Sequence, residues 1–198
     1  VTGVQTCALP ILFFNGYYPS LSGTYSVCAD NQAGGAELVR HLIERGHTKI
    51  AGFFKSDDIQ GHQRYSGFIS ELFRNGLIIP DENVFWYITE TKEELFNNPQ
   101  EVLNRLGDNT AVVCYNDEVA FGLIKCLLSA GRRVPEDVAV VSFDNSNLSR
   151  ISPVTITSLS YEDRNIGRIA AQKLVDILNG KEVTSEVLPW TFIQKESS

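Results

Sequence analysis

Residues 111–145, AVVCYNDEVAFGLIKCLLSAGRRVPEDVAVVSFDN, decide the fold. The apolar run Ala111 to Tyr115 gives way to Asn116-Asp117. Val119, Ala120, Leu123, Ile124, Leu127 and Leu128 then recur at three- and four-residue steps. This pattern predicts a buried strand, a capped turn and an amphipathic helix. Gly131 closes the helix, and Pro135 falls in a loop where its missing N–H costs nothing. Val138 to Phe143 is the next apolar run. Two near-continuous apolar strands joined by a helical crossover form a parallel unit with helices on both faces.

The alternation continues on either side. Strands are predicted at Leu12 to Asn15, Tyr25 to Ala29, Ile50 to Phe54, Val84 to Ile88, Thr155 to Leu159 and Val187 to Ile193. Helical stripes are predicted at Tyr65, Phe68, Ile69, Leu72 and Phe73, and at Ile166, Ile169, Ala170, Leu174, Ile177 and Leu178. Asp30 caps a helix that runs to Arg45 and stops at Gly46, while Gly76 and Gly180 end two more. Gly34-Gly35 lies inside a helical pattern and reads as a close-packing site rather than a phosphate cradle. The fold class is α/β, with parallel sheets flanked by helices.

Composition narrows the function classes. The 198 residues carry 17 Lys+Arg and 24 Asp+Glu, a formal charge of −7. An acidic chain gains little counterion-release energy on DNA, so these residues are not expected to hold DNA by themselves. No apolar run approaches the roughly 18 residues of a membrane span, so no membrane partner is expected. Cys7, Cys28, Cys114 and Cys126 show no CxxC pair and read as small core residues of a cytoplasmic protein. There is no GxGxxG, Walker loop, GxSxG or HExxH, and His41, His47 and His62 lack a supported base arrangement. No catalytic residue, metal or cofactor is expected, and the chain is not read as an enzyme.

In open parallel sheets, ligands settle beyond the carboxyl ends of the strands. The loops there supply Asn15, Tyr17, Lys55, Asp57, Asp58, Gln60, Arg64, Tyr115, Asn116, Phe143, Asp144 and Tyr161. A sugar needs carboxylate or amide acceptors, planar donors and a ring to stack on, and this set holds each type. Arg64 is expected at the start of its helix, outside the buried stripe, with a guanidinium able to donate two parallel bonds. Each residue also has a plainer role: Asn116-Asp117 as a helix cap, Arg64 in a surface ion pair, Asp144 capping a turn, and Asp57-Asp58 as solvated acids.

Four segments together carry a family resemblance: Ala36 to Ile50 (AELVRHLIERGHTKI), Asp57 to Phe68 with Arg64-x-x-Gly67-Phe68, Ala111 to Gly122, and Val134 to Leu159. In this order they resemble the effector-binding core of the LacI/GalR repressor family across nearly all of residues 12–195. The FFKSDDIQG, CYNDE and FFNGYY segments are most similar to the arabinose-responsive members, in which a GntR-type winged-helix domain precedes the sensor.

The resemblance implies a two-lobed periplasmic-binding-protein-like fold with one lobe incomplete. The N-terminal lobe would come from about 12–28 and 161–182, and the C-terminal lobe from about 29–160 and 183–198. Residues 1–11 resemble a translated sequencing adapter and are expected to be non-native, with the DNA-binding domain upstream. Arg64, Asn116 and Asp144 match the family's ligand positions, whereas Asn15 and Gly16 stand where many members carry Asp and Arg. The implied function is a sensor in a homodimeric cytoplasmic repressor that binds L-arabinose or a related sugar and controls operator binding. The alternatives are an extracellular sugar-binding protein of a transport system and an α/β enzyme. The expected ligand-binding set is Asn15, Tyr17, Lys55, Gln60, Arg64, Tyr115, Asn116, Phe143, Asp144 and Tyr161.

Overall fold

Nine strands and six α-helices alternate along the chain in a computed structural model that describes residues 10–18, 20–161 and 165–198. Cys7 and most of the segment 1–11 lie outside the described residues. The chain divides into two units. The smaller contains the described residues up to Ala29 together with 165–188; the larger contains 30–161 and Pro189–Ser198.

In the smaller unit, β1 (Ile11–Phe14), β2 (Thr24–Ala29) and β8 (Glu186–Leu188) form a parallel sheet in the order β1-β2-β8, and α6 (Ile166–Leu178) packs on β1 and β2. The predicted stripe of α6 is only partly buried. Ile166 and Ala170 are covered, but Leu174 and Leu178 are exposed. Three strands offer less apolar surface than the stripe is long.

In the larger unit, β4 (Val84–Tyr87), β3 (Ile50–Lys55), β5 (Ala111–Cys114), β6 (Ala139–Phe143), β7 (Thr157–Ser160) and β9 (Thr191–Ile193) form a six-stranded sheet in that order. All its pairs are parallel except β7 with β9. The chain leaves β3 for β4 on one side and returns to β5 on the other, so the order reverses between β3 and β5. A crevice at strand carboxyl ends forms at such a reversal.

Side-chain alternation splits the core into two layers. Ala51, Phe53, Val112, Cys114 and Val140 face the layer holding α3 (Pro99–Leu106) and α4 (Asp117–Ser129), where Leu106, Leu123, Ile124 and Leu127 are fully or almost fully buried. On the opposite face, Phe54 packs on Phe68 of α2 (Ile59–Arg74), and α2 packs along α1 (Asn31–Glu44). Asp30 caps α1 by accepting from Ala33 N at 2.9 Å. The helix stops at Gly46, whose φ of +90° is accessible mainly to glycine. Cys28, Cys114 and Cys126 are free and buried.

Three expectations need correction. The run Val187 to Ile193 is two strands, because Pro189 has no N–H for a ladder and the chain changes sheets there. β8 pairs with β2, so residues up to Leu188 belong to the smaller unit, whereas the sequence assigned everything from 183 to the larger lobe. The buried face of α2 carries Gly61, Arg64, Gly67, Phe68, Glu71 and Leu72, while Phe73 is 76% exposed. The stripe is rotated relative to the sequence reading because glycines, rather than large side chains, meet α1.

That contact is backbone against backbone. A Cβ on Gly35 of α1 would lie 2.2 Å from the Arg64 carbonyl oxygen, and one on Gly67 of α2 would lie 1.9 Å from that of Gln32. Neither neighbour can swing away as a side chain would. Gly67→Ala should therefore lower stability by about 1–3 kcal/mol in urea unfolding, against a helix-propensity gain of about 1 kcal/mol. A rise in the unfolding midpoint would show that the two helices part freely.

Candidate functional site

The carboxyl ends of β3, β5, β6 and β7 carry the following residues of the larger unit: Lys55, Tyr115 with Asn116, Asp144 and Tyr161. Arg64 enters from the second turn of α2. It is 1% exposed, which corrects the expectation of a residue outside the buried stripe. A guanidinium does not lose its proton in a protein, so burial demands partners. Arg64 Nε donates to Asn31 Oδ1 at 3.0 Å, Nη1 donates to the Tyr115 carbonyl, and Nη2 reaches Asp144 Oδ1 at 3.4 Å. Its Cζ lies 4.2 Å from the Phe143 ring centroid, 4.6 Å from Tyr115 and 5.5 Å from Trp190. The cation is thus bonded in its plane and faced by aromatic rings, both favourable for a delocalised charge.

Asp144 follows β6 with a φ of +95°, and its side chain is 30% exposed. Burial pushes its carboxyl up, Arg64 opposes this, and the charge of Asp117 adds to it. The site therefore holds a partly open carboxylate beside a buried guanidinium, a pair that can accept from and donate to neighbouring hydroxyls.

A second acidic centre forms around Asp58. One oxygen caps α2 by accepting from Gly61 N at 2.7 Å; the other accepts from the Tyr115 hydroxyl at 2.7 Å and from Lys55 Nζ at 3.1 Å. The same hydroxyl lies 3.4 Å from Gln60 Oε1. Asp57 pairs with Lys55 at 3.4 Å and accepts from the Thr89 amide and hydroxyl, which hold its carboxyl down at about 2. Burial acts to lower the Lys55 ammonium, but Asp58 and Asp57 together raise it. Burial pushes the Tyr115 phenol up, so it is a neutral donor. The two adjacent acids are therefore engaged in bonds rather than merely solvated.

Asn116 performs the plainer role weighed for it: its Oδ1 caps α4 by accepting from Val119 N at 3.1 Å. Phe143 is fully buried beneath Arg64, and Tyr161 is half-buried against Trp190, 5.3 Å between ring centroids. Lys55, Gln60, Arg64, Tyr115, Asn116, Phe143, Asp144 and Tyr161 all belong to the larger unit. Asn15 and Tyr17 belong to the smaller unit, where Asn15 Oδ1 accepts from Ala29 N at 3.4 Å and Tyr17 is 37% exposed.

Sequence reasoning missed two residues of the cluster. Asn31 follows the Asp30 cap and carries no separate signal in the sequence, and Trp190 lies inside the run 187–193 that reads as one strand. A tryptophan directly after a proline between two short apolar runs was the available signal for the second. The Gly34-Gly35 reading does fit the geometry, since a Cβ on Gly34 would meet the Trp190 indole at 2.8 Å and the Phe143 ring at 2.9 Å.

Comparison with known proteins gives this arrangement a context. Residues 39–198 match the model of the periplasmic binding protein-like domain. The arabinose metabolism transcriptional repressor of Halalkalibacterium halodurans is 34% identical over 175 residues, covering 86% of this chain and 46% of the relative. A transcriptional regulator CelR–cellobiose complex superposes with a TM-score of 0.85 at 29% identity, covering 94% of this chain and 58% of that one. A LacI transcriptional regulator from a Rhodococcus species superposes with a TM-score of 0.83 at 29% identity, covering 96% and 69%. The chain spans about half the length of the curated relatives it matches, 46% and 49% for the two arabinose repressors. The chain belongs to the periplasmic binding protein-like domain family, in the branch that LacI-type regulators use to bind effectors.

Proposed function

We propose that this chain is the sugar-sensing domain of a bacterial transcriptional repressor and that its effector is L-arabinose or a closely related pentose. The observation that carries the reading is the Arg64–Asp144 pair, a buried, bonded guanidinium beside a partly open carboxylate at the strand ends. Adjacent sugar hydroxyls both donate and accept, so one can meet each partner. Tyr115, Gln60, Lys55 and Tyr161 extend the same edge with polar tips and ring faces. Asn116 has its amide Nδ2 left to donate once Oδ1 caps α4. Phe143 acts through Arg64, as the face on which the cation rests. Asn15 and Tyr17 stay in the ligand set on the family resemblance alone.

Control of transcription would work by linkage. A sugar alters operator affinity only as far as it binds one conformation better than the other. The operator-binding part would be a GntR-type winged helix outside these residues, in a homodimeric cytoplasmic protein. The arabinose-repressor relatives and the cellobiose-bound neighbour support a sugar over a purine as effector, and a regulator over a transport protein or an enzyme.

Isothermal titration of the gene product that carries this chain should show saturable binding of L-arabinose, tighter than D-xylose or D-ribose. Binding of a purine with no response to any sugar would overturn the assignment. Asp144→Asn should weaken L-arabinose binding by about 10- to 150-fold, the loss expected for a hydrogen bond to a charged group. Because Asp144 also bonds the buried Arg64, the same substitution should lower the stability of the sugar-free chain by about 1–3 kcal/mol, with the Asn oxygen still offering one acceptor. Affinity within twofold of the parent would remove Asp144 from the site. Arg64→Lys should lose both affinity and stability, since a buried lysine reproduces neither the planar fork nor the stacking.

A further inference from the structure

Asp117, the first residue of α4, is 1% exposed and has no ion-pair partner among the described residues. Three donors converge on its carboxylate instead. They are the hydroxyl of Ser142 on β6, the hydroxyl of Ser158 on β7 at 2.7 Å, and the backbone N–H of Ser146 at 2.5 Å. The Ser158 oxygen in turn accepts from Asn145 N at 3.0 Å. Two of these links end on the short segment after β6 that carries Asp144.

That segment is in an unusual conformation. Asp144 and Asn145 have φ of +95° and +48°, in the left-handed half of backbone space that side chains disfavour. Such a conformation persists only where the surroundings over-determine it. Asp144 N donates to Leu159 O at 2.8 Å, and the next two amides are held, through Ser158 and directly, by Asp117.

We propose that Asp117 is a positioning residue of the ligand site, clamping the left-handed pair Asp144-Asn145 through the amides of Asn145 and Ser146 so that the Asp144 carboxylate is presented to Arg64 and to ligand. This rests on the reading of Arg64 and Asp144 given above. A carboxylate suits the task because both oxygens accept, and the helix N-terminus at α4 favours its charge. An amide at this position would have one accepting oxygen and would turn an NH₂ toward one of the three donors. The same charge also helps to push up the Asp144 carboxyl, so clamp and electrostatics act on one group.

The test compares the parent chain with Asp117→Asn and with Ser158→Ala, each alone and combined with Asp144→Asn. The first readout needs no ligand: amide hydrogen exchange at Asn145 and Ser146, measured against Val112 and Val113 of β5. Exchange in the turn should rise by about tenfold or more relative to β5 in Asp117→Asn. Equal changes in turn and strand, or none, would overturn the proposal. Ser158→Ala keeps the Asp117 charge and should free the Asn145 amide, which preserves the test if Asp117→Asn does not fold.

The second readout is affinity for L-arabinose. Asp117→Asn should cost about tenfold in the parent background but less than about twofold once Asp144→Asn is present, the non-additivity of residues that act through one another. Full additivity would assign Asp117 to general stability and overturn the role. If the parent chain takes up no L-arabinose, the sugar assignment falls, while exchange at Asn145 and Ser146 still decides the clamp.

Discussion

A guanidinium placed in the interior of the larger unit organises most of what surrounds it. A guanidinium keeps its charge in a protein interior, and the penalty for burying an unpaired ion is several kcal/mol even after relaxation. The protein must therefore supply an acceptor for each edge of the group and rings for its faces. Asn31 comes from the first turn of α1, the Tyr115 carbonyl from the end of β5, and Asp144 from the turn after β6. Three separate elements have to arrive within a few ångströms of one cation. The bare backbone contact of Gly35 and Gly67 is what lets α2 lie close enough to α1 for this to happen.

Charge at the strand ends is divided between two centres with different jobs. Around Arg64 the cation is buried and the anion partly open, which leaves acceptor capacity facing outward. Around Lys55 the proportions are reversed: two carboxylates share one ammonium, and the second oxygen of Asp58 is shared with the Tyr115 hydroxyl. Tyr115 belongs to both, since its carbonyl holds Arg64 and its hydroxyl bonds Asp58. One residue at the end of β5 thereby couples the two halves of the edge at the point where the strand order reverses.

Most of the architecture was legible in the sequence because it rests on local signals. Apolar runs located the strands to within a few residues, Asp30 and Asn116 capped the helices they precede, and Gly46, Gly76, Gly131 and Gly180 all lie in the left-handed region. The failures have a common cause. Whether Arg64 is outside or inside depends on which face of α2 meets α1, and glycine, the residue that decides it, carries no hydrophobic signal. Hydropathy read 187–193 as one strand, although Pro189 divides it between two sheets. Of the site, the strand-end loops named the right residue types. The aromatic cage of Arg64 required Trp190, which lies 126 positions farther along the chain.

The same cage makes the chain a carrier of its own optical reporter. There are two tryptophans: Trp86 is 40% exposed, while Trp190 is 7% exposed with its indole 5.5 Å from a fixed positive charge. The energy of an indole excited state follows the local electric field and the mobility of nearby dipoles. Trp86 meets water and the rings of Phe54, His62 and Tyr65, whereas Trp190 meets the Arg64 guanidinium and the rings of Phe143 and Tyr161. Any event that redistributes charge around Arg64 is therefore written into the emission wavelength of a single side chain, against a more exposed internal reference on β4, at the opposite edge of the same sheet.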